Sequence, residues 1–141
     1  MSFETNFKTA ELARRGVRPF ASAERAWLWA AGCLAAKRAG QTVPHDPAMP
    51  CAPETILLRL DRLYRARRID LVHARILRRW GDRGRAPDPR SGGDRGDWRQ
   101  WRTALAELDV VLRDQGIVAG LEIVPNGMMQ QKFWPELGLK S

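Results

Sequence analysis

Glu54–Arg85 reads ETILLRLDRLYRARRIDLVHARILRRWGDRGR, and this stretch decides the fold. It carries Arg59, Arg62, Arg65, Arg67, Arg68, Arg75, Arg78, Arg79, Arg83 and Arg85, opposed between Arg59 and Arg85 only by Asp61, Asp70 and Asp82. The apolar residues between the charges keep helical spacing: Ile56, Leu57, Leu60, Leu63 and Tyr64, then Val72, Ile76 and Trp80. The pattern predicts two helices, each with an apolar side and an arginine-covered side. The first runs from Glu54 to about Arg67. Asp70 offers an N-cap oxygen to the second, which Gly81 should end after Trp80. A turn of only Arg68–Asp70 suits a helix-turn-helix or a tight helical hairpin. Val72, Ile76 and Trp80, four residues apart, should face inward and leave Arg75, Arg78 and Arg79 on one outer face.

Towards the N-terminus, Gln41–Pro53 reads as a linker. Pro44, Pro47, Pro50 and Pro53 recur every third residue, which forbids helix and favours an extended path. Pro53 also suits the first turn of the helix that follows, with Glu54 beside the positive end of its dipole. Before the linker, Ser22, Glu24, Lys37, Arg38 and Gly40 supply start and stop signals for a helix over Ala23–Ala39. Its middle, Trp27–Ala36, is apolar nearly all round, so burial on most sides is expected. Residues 1–20 are polar apart from Phe3, Phe7, Leu12 and Phe20. They read as an arm or as a short helix over Thr5–Arg15 closed by Gly16.

Towards the C-terminus, Gly81–Gly96 has the composition of an exposed loop. Asp97 should cap the next helix, with Gln100 reaching back in a capping box. Trp98, Trp101, Leu105, Leu108 and Leu112 then alternate spacings of three and four, a seam for packing on another helix. Gly116 stops it, and Ile117 can make the apolar contact of a Schellman end. Beyond that, Ile117–Val124, the turn Pro125-Asn126-Gly127 and Met128–Trp134 fit a β-hairpin or a loosely docked tail.

The expected fold is therefore all-α. A helical domain over residues 21–118 has main helices 23–39, 54–80 (broken near Ile69) and 97–115. An arm or short helix over 1–20 precedes it, and a tail or short hairpin over 119–141 follows. One domain is what 141 residues can support.

The charge excludes more than it identifies. A pI near 10.7 and a formal charge of +8 favour polyanionic partners. Of the 24 basic residues only Lys8, Lys37, Lys132 and Lys140 are lysines. Arginine grips phosphate and guanine edges with a planar fork that lysine lacks. A GC-rich genome would account for that ratio but not for the clustering. Met1–Gly16 has no apolar core of a signal peptide, and the longest apolar run, Ala26–Ala36, is too short to span a bilayer. A cytoplasmic protein with reduced thiols and no membrane contact is expected, because two cysteines do not make a disulfide framework.

No pattern in the chain points to catalysis. Cys33, His45, Cys51 and His73 match no paired metal-ligand spacing, so no metal or other cofactor is expected. No nucleophile motif surrounds either cysteine, and Gly92–Gly96 lacks the lysine and hydroxyl of a phosphate loop. Asp94 and Asp97 read as solvated ion pairs, and His73 as a surface histidine. Of six tryptophans, Trp27, Trp29, Trp98 and Trp101 fall on apolar helix faces. Trp80 reads as core, with base stacking as the alternative if it is exposed. Trp134 could anchor a partner protein.

The blocks RLYRARRIDLVHARILRRWG (62–81) and DWRQWRTALAEL (97–108) resemble small uncharacterised basic proteins of alphaproteobacteria, over roughly residues 54–118. The resemblance implies a bacterial origin and carries no activity. The residues themselves point to nucleic acid. The expected function is that of a small bacterial or phage-derived DNA-binding regulator of transcription. Arg62, Arg65, Arg68, Arg75, Arg78 and Arg79 would contact phosphates, with Arg83 and Arg85 in a flexible flank. The alternative is an adaptor whose basic face binds an acidic protein. Sequence leaves open DNA against RNA and the oligomeric state.

Overall fold

The computed structural model describes residues 16–120, in which four helices pack so that each touches the other three. They are α1 (Ala23–Arg38), α2 (Pro53–Arg65), α3 (Leu71–Arg83) and α4 (Arg95–Asp114). Among the described residues there is no strand, only an isolated parallel bridge between Phe20 and Val118. The domain is all-α. The short helix expected over Thr5–Arg15 and most of the expected hairpin lie outside the described residues.

The ends of the helices follow local chemistry. Ser22 Oγ accepts the Arg25 backbone N–H at 3.2 Å and starts α1. Pro53 stands at the start of α2, where its missing N–H costs nothing. At the end of α4, Gly116 takes φ 76° and Ile117 donates to the Leu112 carbonyl at 2.9 Å. Ile117 is buried there, as a Schellman end requires.

Two boundaries differ from expectation. Gly81 does not end α3. The helix continues to Arg83 and turns through Gly84 at φ 75°. Gly81 is instead where α1 comes closest: a Cβ there would lie 2.8 Å from Ala31 Cβ and 3.0 Å from Trp27 Nε1. Nor does Asp97 cap α4. The helix begins at Arg95, with Asp94 at the cap position, and Asp97 lies within the first turn.

The core is built from Ile56, Leu60 and Leu63 of α2, Ile76, Leu77 and Trp80 of α3, and Trp101, Leu105, Leu108 and Leu112 of α4. Small residues of α1, Ala23, Ala26, Ala30 and Ala31, let the other helices approach it closely. Only one side of α1 is fully buried: Leu28, Trp29 and Cys33 are half-buried, and Gly32 is exposed. An apolar sequence nearly all round is therefore covered less completely than expected, because the other three helices occupy one side of α1.

Three buried tryptophans stitch the helices together. Trp27 Nε1 of α1 donates to the Leu77 carbonyl of α3 at 2.9 Å. Trp80 Nε1 of α3 donates to Asp97 Oδ2 of α4 at 2.9 Å. Trp101 Nε1 of α4 donates to Glu24 Oε1 of α1 at 3.1 Å. Each indole buries a large apolar body while its N–H finds the acceptor that burial demands.

Candidate nucleic-acid interface

The arginine-bearing helix α3 is fixed at its start by a reciprocal arrangement. Asp70 is the cap residue, in extended conformation, and its own N–H donates to His73 Nδ1 at 2.9 Å. His73 is thus part of the cap, not a free surface histidine. On the inner side Ile76, Leu77, Trp80 and Gly81 are buried. Arg75, Arg78 and Arg79 are exposed on the outer side, as their spacing predicted.

Val72 was expected to face inward and does not: it is 46% exposed. A step of four residues overshoots one turn by about 40°. Over Val72, Ile76 and Trp80 that drift carries the first member off the packed face, and Leu77 supplies the contact instead.

All eight arginines expected to meet nucleic acid are exposed, yet they are not equivalent. Arg65 pairs with Asp61 at 2.8 Å one turn earlier on α2. Arg68, in the turn, reaches Glu107 of α4 at 3.0 Å. Arg78 lies 3.8 Å from Asp82, whose other oxygen is held by Arg38 of α1 at 3.1 Å. Arg79 pairs with Asp97 at 2.8 Å. Arg83 and Arg85 lie over the Trp80 ring, 4.5 and 5.0 Å from its centroid. Arg62 and Arg75 have no ion pair among the described residues.

Arg62 is also set apart by position. The part of α2 that faces α3 carries Leu57 and Tyr64. Helical geometry puts Arg62 on roughly the opposite flank of α2. The fold therefore groups Arg75, Arg78 and Arg79 on one surface and leaves Arg62 away from them.

Trp80, Asp97 and Arg79 form a small closed node between α3 and α4. Trp80 is 1% exposed, which removes it as a base-stacking platform. Gly84 reverses the chain after α3, and the Arg85 N–H donates to the Trp80 carbonyl at 3.3 Å. That turn brings Arg85 back over the indole, so Arg83 and Arg85 are held by cation–π contact and do not form a loose flank. Burial pushes the Asp97 carboxyl up. The hydrogen bonds from Trp80 and Arg79 and the charges of Arg79 and Arg83 outweigh it, so the group ends below its ordinary value of 3.8. Asp97 is no solvated loop carboxylate but the anchor of the α3–α4 edge.

Two arginines outside the expected set matter as well. Arg67 is an exposed non-glycine residue in left-handed conformation, φ 62°. It closes α2, with Arg68 N–H on the Leu63 carbonyl at 2.9 Å. It has no ion pair among the described residues. Arg59 is drawn into the packing: it donates to Gln115 Oε1 at 2.8 Å, while its Nε is buried without a hydrogen-bond partner.

No family model, curated protein or solved structure matches this chain. The geometry stands alone as the guide to function.

The remaining chemistry is sparse. Cys33, His45 and Cys51 line one cavity between α1 and the proline-rich linker. Burial pushes the Cys51 thiol up to about 11, against the lowering effect of Arg59, and burial raises Cys33 too. Thiols held protonated at neutral pH are poor nucleophiles. Among the described residues no cluster of three or more His, Cys, Asp or Glu side chains could hold a metal. No described helix is long and apolar enough to cross a membrane.

Proposed function

We propose that the chain binds nucleic acid, duplex DNA foremost, through the outer face of α3, and acts as a small regulator in a bacterial or phage setting. The observation that carries this reading is Arg75. It stands on a helix locked by buried Ile76, Leu77 and Trp80, it is exposed, and no carboxylate answers it among the described residues. Arg78 beside it shares its only acid, at 3.8 Å, with Arg38. Arg67, exposed in the turn before α3 and without an ion pair among the described residues, adds to the positive surface. Exposed ion pairs are worth only about 0–1 kcal/mol, so phosphate can draw arginines such as Arg65 and Arg78 away from their aspartates. A helix that is already packed presents its guanidinium groups without paying to order the backbone on binding.

Binding of a labelled duplex, followed by anisotropy at several salt concentrations, tests the proposal. Neutralising a phosphate releases counterions, so affinity should fall steeply with added salt, with a log–log slope of about −0.9 per phosphate contact. Absence of binding at low salt, or a flat response, overturns the nucleic-acid reading. An acidic protein partner for the same face would then be the better account.

A further inference from the structure

Arginine does not make up the whole outer face of α3. Leu71 and Val72, the first two residues of the helix, are 48 and 46% exposed. At about 100° per residue, Arg75 projects between them one turn further on, and Arg78 and Arg79 each fall within about 20° of one of them. The five side chains thus share a sector of roughly 120°. Leu71 also lines an apolar groove with Leu57 and Tyr64 of α2, but Val72 lies outside it, so what the two have in common is the arginine face. Phosphate and sugar are met by charged and polar groups and give an apolar side chain no partner. The major groove does, because thymine presents its C5-methyl group there.

We propose that Leu71 and Val72 enter the major groove of duplex DNA and pack on thymine methyl groups, so that α3 reads base identity as well as charge. This rests on the nucleic-acid reading above and names what the face recognises. Charge decides which end of α3 goes in. Asp82 lies in the same sector near the C-terminal end, where Arg78 and Arg38 share it and where the helix dipole is negative. A phosphate is repelled there. The N-terminal end has the positive end of the dipole, and Arg67 is exposed in the turn before it. Asp70, the acid at that end, is the cap residue. A helix that enters by its N-terminal end sets its first turn deepest, against the base edges. One turn back, Arg75 and Arg78 are long enough to reach the groove walls, where the phosphates lie. Both residues project from a helix that buried Ile76, Leu77 and Trp80 hold in place, so neither has to be ordered by moving the backbone.

Anisotropy titrations of the full chain with two labelled duplexes, one of alternating adenine and thymine and one of alternating adenine and uracil, test this. The second duplex keeps every charge and base pair and loses only the methyl groups. The thymine duplex should bind more tightly, by about fourfold for each methyl group buried. The salt slopes should be equal, since the phosphates are the same. Leu71→Ser combined with Val72→Ser should keep the parent's circular dichroism, melting temperature and salt slope, and should bind the two duplexes alike. Equal affinity of the parent for both duplexes, with a steep salt slope, leaves nucleic-acid binding standing and overturns base reading. A preference for thymine that survives in the double variant also overturns it, because the methyl groups are then read elsewhere. So does a lowered melting temperature of the double variant, which places Leu71 and Val72 in the packing. Binding to neither duplex removes the nucleic-acid reading and base reading with it.

Discussion

Arg75 and Arg79 lie one turn apart on α3 and do opposite things. Arg79 bonds Asp97 at 2.8 Å, beside an indole N–H that bonds the same oxygen. Arg75 reaches out from the same helix with no acid to meet it. The α3–α4 edge spends arginine charge on holding the fold, with Arg83 and Arg85 laid over Trp80. The outer face of α3 keeps its charge for solvent or a partner. Ten arginines in a row of helices are thus not ten units of available charge. The surplus that can act on a polyanion is local, and its location is set by which arginines Asp61, Asp82, Asp97 and Glu107 reach.

The contrast predicts that substitutions at the edge act on stability and substitutions on the face act on binding. The largest effect belongs to Trp80→Ala. It empties a fully buried site and strips Asp97 of one donor, and should cost about 3–5 kcal/mol in denaturant unfolding. A change well under 1 kcal/mol would show that the edge is not where the fold is held. Gly81→Ala should follow at about 1–3 kcal/mol, since the added methyl meets Ala31 and Trp27 at the closest approach of α1 and α3.

How far the sequence foresaw this division depends on the range of the interaction. Spacing alone placed α3, its outer arginines and four of the five seam residues, Trp101, Leu105, Leu108 and Leu112, because a 3.6-residue repeat is a local property. The first member, Trp98, is only half-buried and lies under the Arg102 guanidinium. The local pattern also placed the Schellman end at Gly116 and the cap at Asp70. It misread Gly81 as a stop because glycine at a helix end and glycine under a neighbouring helix look alike in one dimension. It misplaced the start of α4, where both Asp94 and Asp97 are acceptable cap residues. Above all it could not pair Trp80 with Asp97 or Arg68 with Glu107. Nothing in either segment records that α4 returns alongside α3. The available part of the arginine patch becomes visible only after those long-range pairs are known.

Asp97→Asn sharpens the comparison through pH. The folded carboxyl sits below its ordinary value, so ionised Asp97 contributes stability above that value, and the contribution is lost as pH falls through the folded one. At neutral pH the variant should be about 1 kcal/mol less stable, because the amide oxygen still accepts one hydrogen bond. In acid the stabilities of parent and variant should converge. If the gap between them persists or widens as pH falls, the node does not work through the charge of Asp97. Arg75→Gln should have the smallest effect on stability, within about 0.5 kcal/mol. A larger loss would place Arg75 with the structural arginines.

The salt dependence of duplex DNA binding by Arg75→Gln/Arg78→Gln, measured beside the parent, tests most directly the claim that the outer face of α3 is the contact surface. The double variant should keep the parent's melting temperature, bind more weakly, and show a log–log salt slope shallower by roughly two, one phosphate contact for each arginine removed. An unchanged slope and affinity would contradict that claim.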